Sequence, residues 1–559
     1  MKWSEVKWSK VRSPLYLGLT LAFAILYGIM ALFKAFRAEF VVQDDARFYL
    51  YWMARLTDPT AMPQDFIADY AQAVTPQGFT LLYRWAAHGG VDPLLFSKCL
   101  PFLLGILSAL EMYYLAIAIV PIPLTAFLSS LILNQSLWFR DDLASATPRA
   151  FIYPCLLFLL YGLVKSRFWM MGLAIALQSF LYPPFTLVCL CLLAVHLWQQ
   201  WRSHALTQEL GQRSIGVMAI GIATFLPYLF ASGSFAPVVS LAEGVKMLEF
   251  GSQGRLAYFM GSPWQFILFG EHSGLIPGMM PPLIWISLLL PVVWKSAHLK
   301  FQTAKPLLLN LLLTSVGLWG LAHGVWLRLY FPSRYVNHTF RIAAAIASAI
   351  VLTLLIDKSW QLWRDRSQCD RSRNAKLGCI ISSVLLLLLV GYPHFSDFPR
   401  TNYRISTESG LFQTLRNVPN DRLVATLSEV ANSIPVFAQR SVFFSREMAN
   451  PYHLGYYRPL RQRIADALIA QYSPNFQDFA TVVQRYGIDY WLVERNGWQP
   501  SYLQDKSKRW LSSIEPEYSK SLMQGRSSWL SQQEHSCQLW QDDRLTLLDT
   551  SCLLKQSAP

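Results

Sequence analysis

Long runs of apolar residues, separated by short polar stretches, fill residues 1–395 of this 559-residue chain. Runs of this kind are typical of helices that cross a lipid bilayer. We expect about eleven such spans, at residues 14–34, 94–119, 122–138, 149–164, 168–182, 183–198, 214–231, 277–294, 307–326, 340–357 and 377–393. Several are shorter than the roughly 20 residues that a straight span needs, which a broken, tilted or bundle-packed helix tolerates.

Beyond residue 395 the pattern changes to short apolar strands that alternate with amphipathic helices. Strands are predicted at 422–426, 441–444 and 488–493, helices at 458–472 and 475–486, and a hairpin at 538–548. Such alternation favours a small α/β sheet in a parallel arrangement. We therefore expect a transmembrane domain over residues 1–395, with a long first outer loop at 37–93, and an α/β domain over residues 396–559.

Composition and charge agree with a polytopic α-helical membrane protein, since hydrophobic residues make up 53% of the chain and charged residues 15%. Loops rich in Lys and Arg stay in the cytoplasm. This rule places the N-terminus in the cytoplasm, and eleven spans then place the α/β domain outside it. We attribute the net charge of +14 to the basic loops that set this orientation and not to nucleic-acid binding. The basic residues on the expected cytoplasmic side are Lys2, Lys7, Lys10 and Arg12 in the tail, Lys165, Arg167, Arg202, Arg213, Lys295, Lys300 and Lys305 in later loops, and six more between 358 and 376.

Two acidic pairs fall in the first two outer loops, Asp44–Asp45 directly after the first span and Asp141–Asp142 after the third. The apolar and aromatic residues after Asp45 suit a short helix along the membrane surface. Helix capping accounts for one of Asp44 and Asp45 but less naturally for both. Two carboxylate clusters at one interface could bind a divalent cation or orient a nucleophile. The alternative is a surface loop with local Arg–Asp pairs.

Other residues of the expected outer side add candidate chemistry. Glu271 and His272 could join a metal site, although an isolated dipeptide is a weak signal. Arg334, close to a span, could grip a lipid phosphate or anchor at headgroup depth. Cys537 and Cys552 bracket the predicted hairpin, and an oxidising compartment favours a disulfide between them over free thiols.

The arrangement of these features resembles the GT-C superfamily. A cytoplasmic N-terminus, an acidic motif in each of the first two outer loops, many spans and an outer α/β domain are the points of resemblance. The superfamily comprises integral-membrane glycosyltransferases, among them protein mannosyltransferases, aminoarabinose transferases and oligosaccharyltransferase catalytic subunits. The resemblance implies a polyprenyl-phosphate-linked sugar donor and transfer on the outer face of the plasma (inner) membrane, which we expect to be bacterial.

The resemblance also implies roles for particular residues. Asp44 or Asp45 would orient or deprotonate the acceptor, which could be a glycan, a lipid or a protein. Asp141 and Asp142 would form the second acidic motif and bind a divalent metal, Mg or Mn. Arg334 would hold the donor phosphate, and direct displacement would invert the anomeric centre. Further candidates for substrate binding are Tyr335, Arg140, Arg149, Glu271 and His272.

Two other classes of function stay open. A multi-pass transporter would use charges inside the spans, such as Glu111, and broken helices at mid-depth. A non-catalytic membrane protein with an outer binding domain is the second alternative. The chain also departs from the superfamily pattern, because it carries Asp-Asp where Asp-Glu or a spaced Asp-x-Asp is usual.

Overall fold

The computed structural model of the chain describes residues 13–204, 207–252, 254–259, 261–294, 304–364, 371–499, 501–505, 511, 528–533 and 535–556. Part of the predicted orientation depends on residues that lie outside these ranges, namely Lys2, Lys7, Lys10, Arg12, Lys295, Lys300 and Arg366.

The apolar part of the chain is helical. Six helices of the described residues are long and apolar enough to cross a membrane, and shorter apolar helices lie between them. Each of the eleven predicted spans coincides with helical structure, and the number that cross the membrane stays a prediction. The helices are α1 Ser13–Ala35, α2 Ala46–Met53, α3 Phe66–Val74, α4 Gln77–His88, α5 Pro93–Ile119, α6 Pro123–Trp138, α7 Asp141–Ala144, α8 Ile152–Val164, α9 Phe168–Leu181, α10 Thr186–Arg202, α11 Gln208–Phe230, α12 Leu241–Gly244, α13 Leu290–Trp294, α14 Ala304–Val325, α15 Ser333–Arg364 and α16 Arg371–Gly391.

Helix α6 lies at the centre of the bundle, and nearly all of its residues are buried. Its polar side chains therefore need partners on neighbouring helices. The hydroxyl of Ser130 donates to the carbonyl of Ala109 in α5 at 2.7 Å, and the amide of Gln135 donates to the Tyr27 hydroxyl of α1 at 2.9 Å and to the carbonyl of Leu389 in α16 at 2.8 Å. These bonds fix α6 between three other helices.

The C-terminal part contains a five-stranded sheet of order β4-β3-β5-β7-β6. Strands β4, β3 and β5 are parallel, as expected of strands that helices separate, whereas β7 and β6 are antiparallel because a tight hairpin joins them. The sheet is thus mixed and not wholly parallel. The strands are β3 Leu423–Thr426, β4 Ser441–Val442, β5 Tyr490–Glu494, β6 Gln538–Gln541 and β7 Leu545–Asp549, and the helices are α17 Ser409–Arg416, α18 Ile434–Phe437, α19 Leu454–Tyr472, α20 Phe476–Tyr486, α21 Trp529–Gln532 and α22 Thr550–Gln556.

A disulfide joins Cys537 to Cys552, with their Cα atoms 5.7 Å apart. It closes a loop around the β6–β7 hairpin. Strand β7 of that hairpin is in the core and is covered on both faces, since Leu545, Leu547 and Leu548 are fully buried.

The first loop of the helical part packs directly against the C-terminal part. Strand β1 (Val41–Gln43) pairs antiparallel with β2 (Tyr403–Ile405). Tyr70 of α3 stacks on Tyr456 of α19, with ring centroids 3.6 Å apart. These contacts join the first loop to β2 and α19 of the C-terminal part.

A long segment after α11 also crosses to the sheet. This segment, residues 236–252 and 254–259, is called the strap below. Its Val239 N–H donates to the Tyr452 carbonyl at 2.9 Å, and its Pro237 carbonyl accepts from the Leu454 N–H at 2.8 Å. The buried carboxylate of Glu249 accepts a hydrogen bond from the Tyr457 hydroxyl at 3.0 Å. The strap, the first loop and the C-terminal part therefore meet over the end of the helical bundle.

Candidate functional site

The two carboxylates of the first acidic pair have different surroundings. Helix α2 begins at Ala46, and the side-chain oxygen of Gln43 accepts the hydrogen bond from the Ala46 N–H at 3.1 Å. Asp45 stands at the N-cap position, but its carboxylate binds Arg149 instead of the helix N-terminus. Helix capping therefore accounts for neither Asp44 nor Asp45.

Asp44 joins α2 to β2. Its carboxylate oxygens are bound by Arg47 and by Arg404, the latter at 2.9 Å. Burial raises the pKa of Asp44, but the charges of Arg47 and Arg404 outweigh burial and leave the pKa below its usual value. Both oxygens are thus occupied by structural ion pairs.

Arg149 brings the two acidic pairs together. It lies in a 3₁₀ helix, Pro148–Phe151, that precedes α8. Its Nη2 binds Asp45 Oδ2 and lies 3.3 Å from Asp141 Oδ1, and its Nε lies 3.7 Å from Asp142 Oδ1. One guanidinium therefore contacts three of the four acids that the sequence singled out.

Asp142 is the deepest of these acids, with 10% of its side chain exposed. Arg341 of α15 binds its Oδ2 at 2.6 Å and also donates to the Tyr153 hydroxyl at 2.9 Å. Burial raises the pKa of Asp142, but Arg341 and Arg149 outweigh burial and hold the pKa well below its usual value. The neighbouring Asp141 accepts from the Asn402 amide at 2.9 Å.

A cavity of about 150 Å³ opens beside Asp45. The carboxylate of Asp45 is 39% exposed, and its Oδ1 accepts no hydrogen bond from the described residues. The cavity combines residues of the first loop, the bundle, the strap and the C-terminal part. Its walls are Asp45, Phe48, Tyr49, Thr147, Arg149, Tyr182, Arg255, Leu256, Tyr330, Arg334, Glu447, Ala449 and Asn450.

The cavity has a second charged wall. Arg255 of the strap lies 3.2 Å from Glu447 and donates through Nε to the Arg446 carbonyl at 2.9 Å. Burial raises the pKa of Glu447, against the opposing charges of Arg255 and Arg47. Arg334, at the start of α15, makes no side-chain hydrogen bond or ion pair with any part of the chain that the structure describes. A positive charge without a protein partner thus faces the cavity.

The remaining sequence candidates do not line the cavity. Tyr335 is buried, and its hydroxyl donates to the Leu329 carbonyl. Arg140 donates to the Gly278 carbonyl at 3.0 Å. Glu271 is exposed, and its carbonyl accepts from the Ser333 hydroxyl at 2.8 Å.

His272 lies next to the cavity wall but packs as an aromatic ring. It stacks on Phe331 with ring centroids 4.2 Å apart. Burial, together with the nearby charges of Arg334 and Arg255, lowers the pKa of His272 to about 3. The imidazole is therefore neutral at physiological pH.

The predicted metal ligands bind arginines. Among the described residues, no group of three or more His, Cys, Asp or Glu side chains is arranged to hold a metal ion. Asp45 and Asp141 both face Arg149, and Asp142 faces Arg341. Divalent cations such as Mg²⁺ need several free oxygen ligands. Because a guanidinium nitrogen already lies against one oxygen of each of these carboxylates, this donor set does not fit a divalent cation.

Comparison with known proteins shows similarity at the level of the fold. No protein-family model and no curated protein matches the sequence. The archaeal oligosaccharyltransferase AglB from Archaeoglobus fulgidus, solved with an inhibitory peptide and a dolichol-phosphate, is similar with a TM-score of 0.54 at 12% identity, over 91% of this chain and 72% of AglB.

Two further structures of the Archaeoglobus fulgidus oligosaccharyltransferase are similar to this chain as well. The apo form has a TM-score of 0.51 at 12% identity, over 92% of this chain and 73% of its own. The form tethered to an acceptor peptide with the NVT sequon has the same TM-score and identity, over 92% and 72%. The similarity covers the helical bundle and the C-terminal part together, and the chain therefore shares its fold with this archaeal oligosaccharyltransferase.

Proposed function

We propose that this protein is a membrane glycosyltransferase that moves a sugar from a polyprenyl-phosphate-linked donor to an acceptor at the outer face of a bacterial plasma membrane. The observation that carries the proposal is the cavity, which is lined by both Asp45 and Arg334. Among the described residues, Asp45 Oδ1 accepts no hydrogen bond and the Arg334 guanidinium has no partner. A carboxylate that accepts a proton and a cation that binds phosphate are the two groups that such a transfer needs.

The chemistry assigns one role to each group. The acceptor atom forms a bond to the anomeric carbon while the bond from that carbon to the phosphate oxygen breaks. The electron pair of the broken bond goes to the phosphate, and the acceptor proton goes to the carboxylate of Asp45. Arg334, together with Arg149, stabilises the negative charge that develops on the phosphate. A single displacement of this kind inverts the anomeric centre.

Tyrosines on the cavity wall suit a sugar ring. Tyr49, Tyr182 and Tyr330 present aromatic rings and hydroxyls to the space beside Asp45. Burial raises the pKa of Tyr49, so its hydroxyl stays protonated and is able to donate a hydrogen bond to a sugar oxygen. The dolichol-phosphate in the AglB structure supports a polyprenyl-phosphate carrier for the donor. The acceptor is a glycan, a lipid or a protein.

Turnover of radiolabelled polyprenyl-phosphate sugars by the purified protein tests this proposal. We expect sugar release by the wild type and a loss of about 100-fold or more in Asp45→Asn, because general-base catalysis contributes that much. Asp44→Asn is the matched neighbour, since its carboxylate binds Arg47 and Arg404 outside the cavity wall. It should keep most of the turnover and unfold at a lower temperature.

The possible outcomes separate the proposal from its alternatives. Equal losses in Asp44→Asn and Asp45→Asn would contradict the assignment of Asp45. Absence of turnover with every donor would contradict the glycosyltransferase and favour a transporter or a binding protein. Transport that depends on Glu111, inside α5, would support the transporter.

A further inference from the structure

Arg149 occupies the point at which the two acidic pairs converge. The side chain is 15% exposed, and it binds Asp45, which is 104 residues away in the chain. The same Nη2 lies 3.3 Å from Asp141 Oδ1, and Nε lies 3.7 Å from Asp142 Oδ1. Three carboxylates from two separate loops thus surround one fixed positive charge.

Carboxylates that crowd together repel one another unless a cation lies between them. A divalent metal ion commonly fills such a position, with oxygen ligands at 2.0–2.6 Å. Here the guanidinium of Arg149 does so instead, and Asp142 is neutralised separately by Arg341 at 2.6 Å. One oxygen of each of the three carboxylates therefore already faces an arginine nitrogen.

The guanidinium also has donors left for a ligand. Its Nε is buried and has no hydrogen-bond partner among the described residues, and its Nη1 makes no hydrogen bond to any of them. Arg149 lines the cavity together with Arg334. A planar guanidinium with free N–H groups is well suited to bind phosphate oxygens.

We propose that Arg149 takes the place of a divalent metal ion, holding the two acidic pairs together and supplying positive charge to the cavity, so that sugar transfer needs no metal. The inference rests on the proposed function for the reaction itself. The claim that Arg149 fills the cation position does not depend on the identity of the sugar donor. Arg149 acts here as a positioning residue for Asp45 and as a phosphate-facing charge.

The test combines metal binding with turnover. Binding of Mn²⁺ to the purified protein is measured by electron paramagnetic resonance for the wild type, Arg149→Ala and Arg149→Ala/Asp45→Asn. We expect no bound Mn²⁺ in the wild type, one bound ion in Arg149→Ala, and loss of that ion in the double variant. Sugar release by the wild type should be the same in EDTA and in excess Mn²⁺. In Arg149→Ala it should fall by about 100-fold in EDTA and recover in part with Mn²⁺.

Several results would overturn the proposal. One is a wild-type protein that binds one Mn²⁺ and loses it in Asp45→Asn. Another is inhibition of the wild type by EDTA that Mn²⁺ reverses. A folded Arg149→Ala that binds no Mn²⁺ would also refute the cation position. If Arg149→Ala does not fold, Arg149→Lys and the two wild-type measurements still decide the question. Since Mn²⁺ binding needs no donor, a protein without turnover would refute the proposed function and leave the metal test standing.

Discussion

Asp44 and Asp45 are neighbours in the chain and yet bind different arginines, and that difference sets their roles. Asp44 has both oxygens in ion pairs with Arg47 and Arg404, which tie α2 to β2. Asp45 shares one oxygen with Arg149 and presents the other to the cavity. A carboxylate that is to accept a proton needs an accessible oxygen, so only Asp45 fits that role.

Arg334 allows the phosphate-binding role to be tested separately. We expect Arg334→Gln to lower kcat/KM for the donor by about ten- to a hundredfold, because a charge-assisted hydrogen bond is worth about 1.5–3 kcal/mol. The unfolding temperature should change little, since the described residues offer Arg334 no partner to lose. Steady-state kinetics over a range of donor concentrations measures the effect.

Arg446→Gln is the control for this substitution. Arg446 is 40% exposed, pairs only distantly with Glu429 at 3.9 Å, and lies beside the cavity wall without being part of it. Its kcat/KM should stay within about twofold of the wild type. If kcat/KM falls equally in both variants, the loss is caused by the removal of a positive charge near the cavity and not by the loss of phosphate binding by Arg334.

Because His272 is buried, we expect the free energy of unfolding to depend on pH. Burial lowers its pKa in the folded protein to about 3, against 6.5 for a free histidine. Between these two values the unfolded chain binds a proton that the folded chain does not, so the free energy of unfolding falls as the pH drops below 6.5. We expect the unfolding temperature of the wild type to fall more steeply over this range than that of His272→Gln.

The exposed His204 supplies a matched control for the pH measurement. His204→Gln should keep the wild-type slope between pH 6.5 and pH 4.5, measured as unfolding temperature against pH. Parallel curves for the wild type and His272→Gln would show that His272 is protonated equally in the folded and unfolded states, contrary to its burial.

At the scale of the element, the local pattern of the sequence was sufficient to predict most helices and strands. The bounds of α5 follow from Asp92, whose carboxylate accepts from the N–H groups of Leu94 and Leu95, and from Pro93 in the first turn. Strands β3, β5 and β7 lie where short apolar runs predicted them. The expected likeness of the whole chain to oligosaccharyltransferases is confirmed at the level of the fold.

The candidate site was only partly predictable. Asp45, Arg149 and Arg334 stood out from the sequence, but Arg255 and Glu447 did not, because each is a single charge in a polar stretch. Asp142 and Arg341 are 199 residues apart, and no local pattern connects them. The pairing of acids with arginines, which decides against a metal site, depends on helix packing that one sequence does not display.

The disulfide stabilises strand β6 of the hairpin more than strand β7. Leu545, Leu547 and Leu548 hold β7 in the core, whereas β6 is an edge strand with mostly exposed residues. Cys537 and Cys552 close a loop with a sequence separation of 15, and such a loop contributes about 3 kcal/mol to stability. Cys537→Ser/Cys552→Ser should therefore lose protection from hydrogen exchange in β6 and keep it in β7.

The exposed thiol of Cys99 provides the control for the hairpin. Cys99→Ser should leave hydrogen exchange in both strands unchanged. Equal loss of protection in β6 and β7 of the double variant would show that the disulfide holds the whole sheet edge and not β6 alone.

At the scale of the whole molecule, the cavity exists only because distant segments meet. Asp45 comes from the first loop, Arg149 and Arg334 from the bundle, and Arg255 from the strap. The strap reaches its place through hydrogen bonds from Pro237 and Val239 to the C-terminal part. Its position therefore decides whether Arg255 meets Glu447 at 3.2 Å.

Glu249 is the strongest polar anchor of the strap and gives the last prediction. It is buried, accepts from Tyr457 at 3.0 Å and lies 3.2 Å from Arg461. Glu249→Ala leaves the buried Tyr457 hydroxyl without its acceptor, at a cost of about 1–3 kcal/mol. We expect faster proteolysis within the strap and weaker donor binding, because Arg255 is displaced, whereas the helical content of the bundle should not change.

Glu243, in the same strap, provides the control for Glu249. It distinguishes the loss of a buried anchoring contact from the loss of a negative charge. It is 44% exposed and pairs with the exposed Arg458 at 3.3 Å, a surface contact worth little. Its other hydrogen bonds, from the N–H and the hydroxyl of Ser240, stay within the strap and do not anchor it to the C-terminal part. Glu243→Ala removes the same charge from the same segment, so proteolysis and donor binding should stay close to the wild type. If the two variants behave alike, the cavity does not depend on the Glu249 anchor, and Arg255 keeps its position through its bond to the Arg446 carbonyl at 2.9 Å.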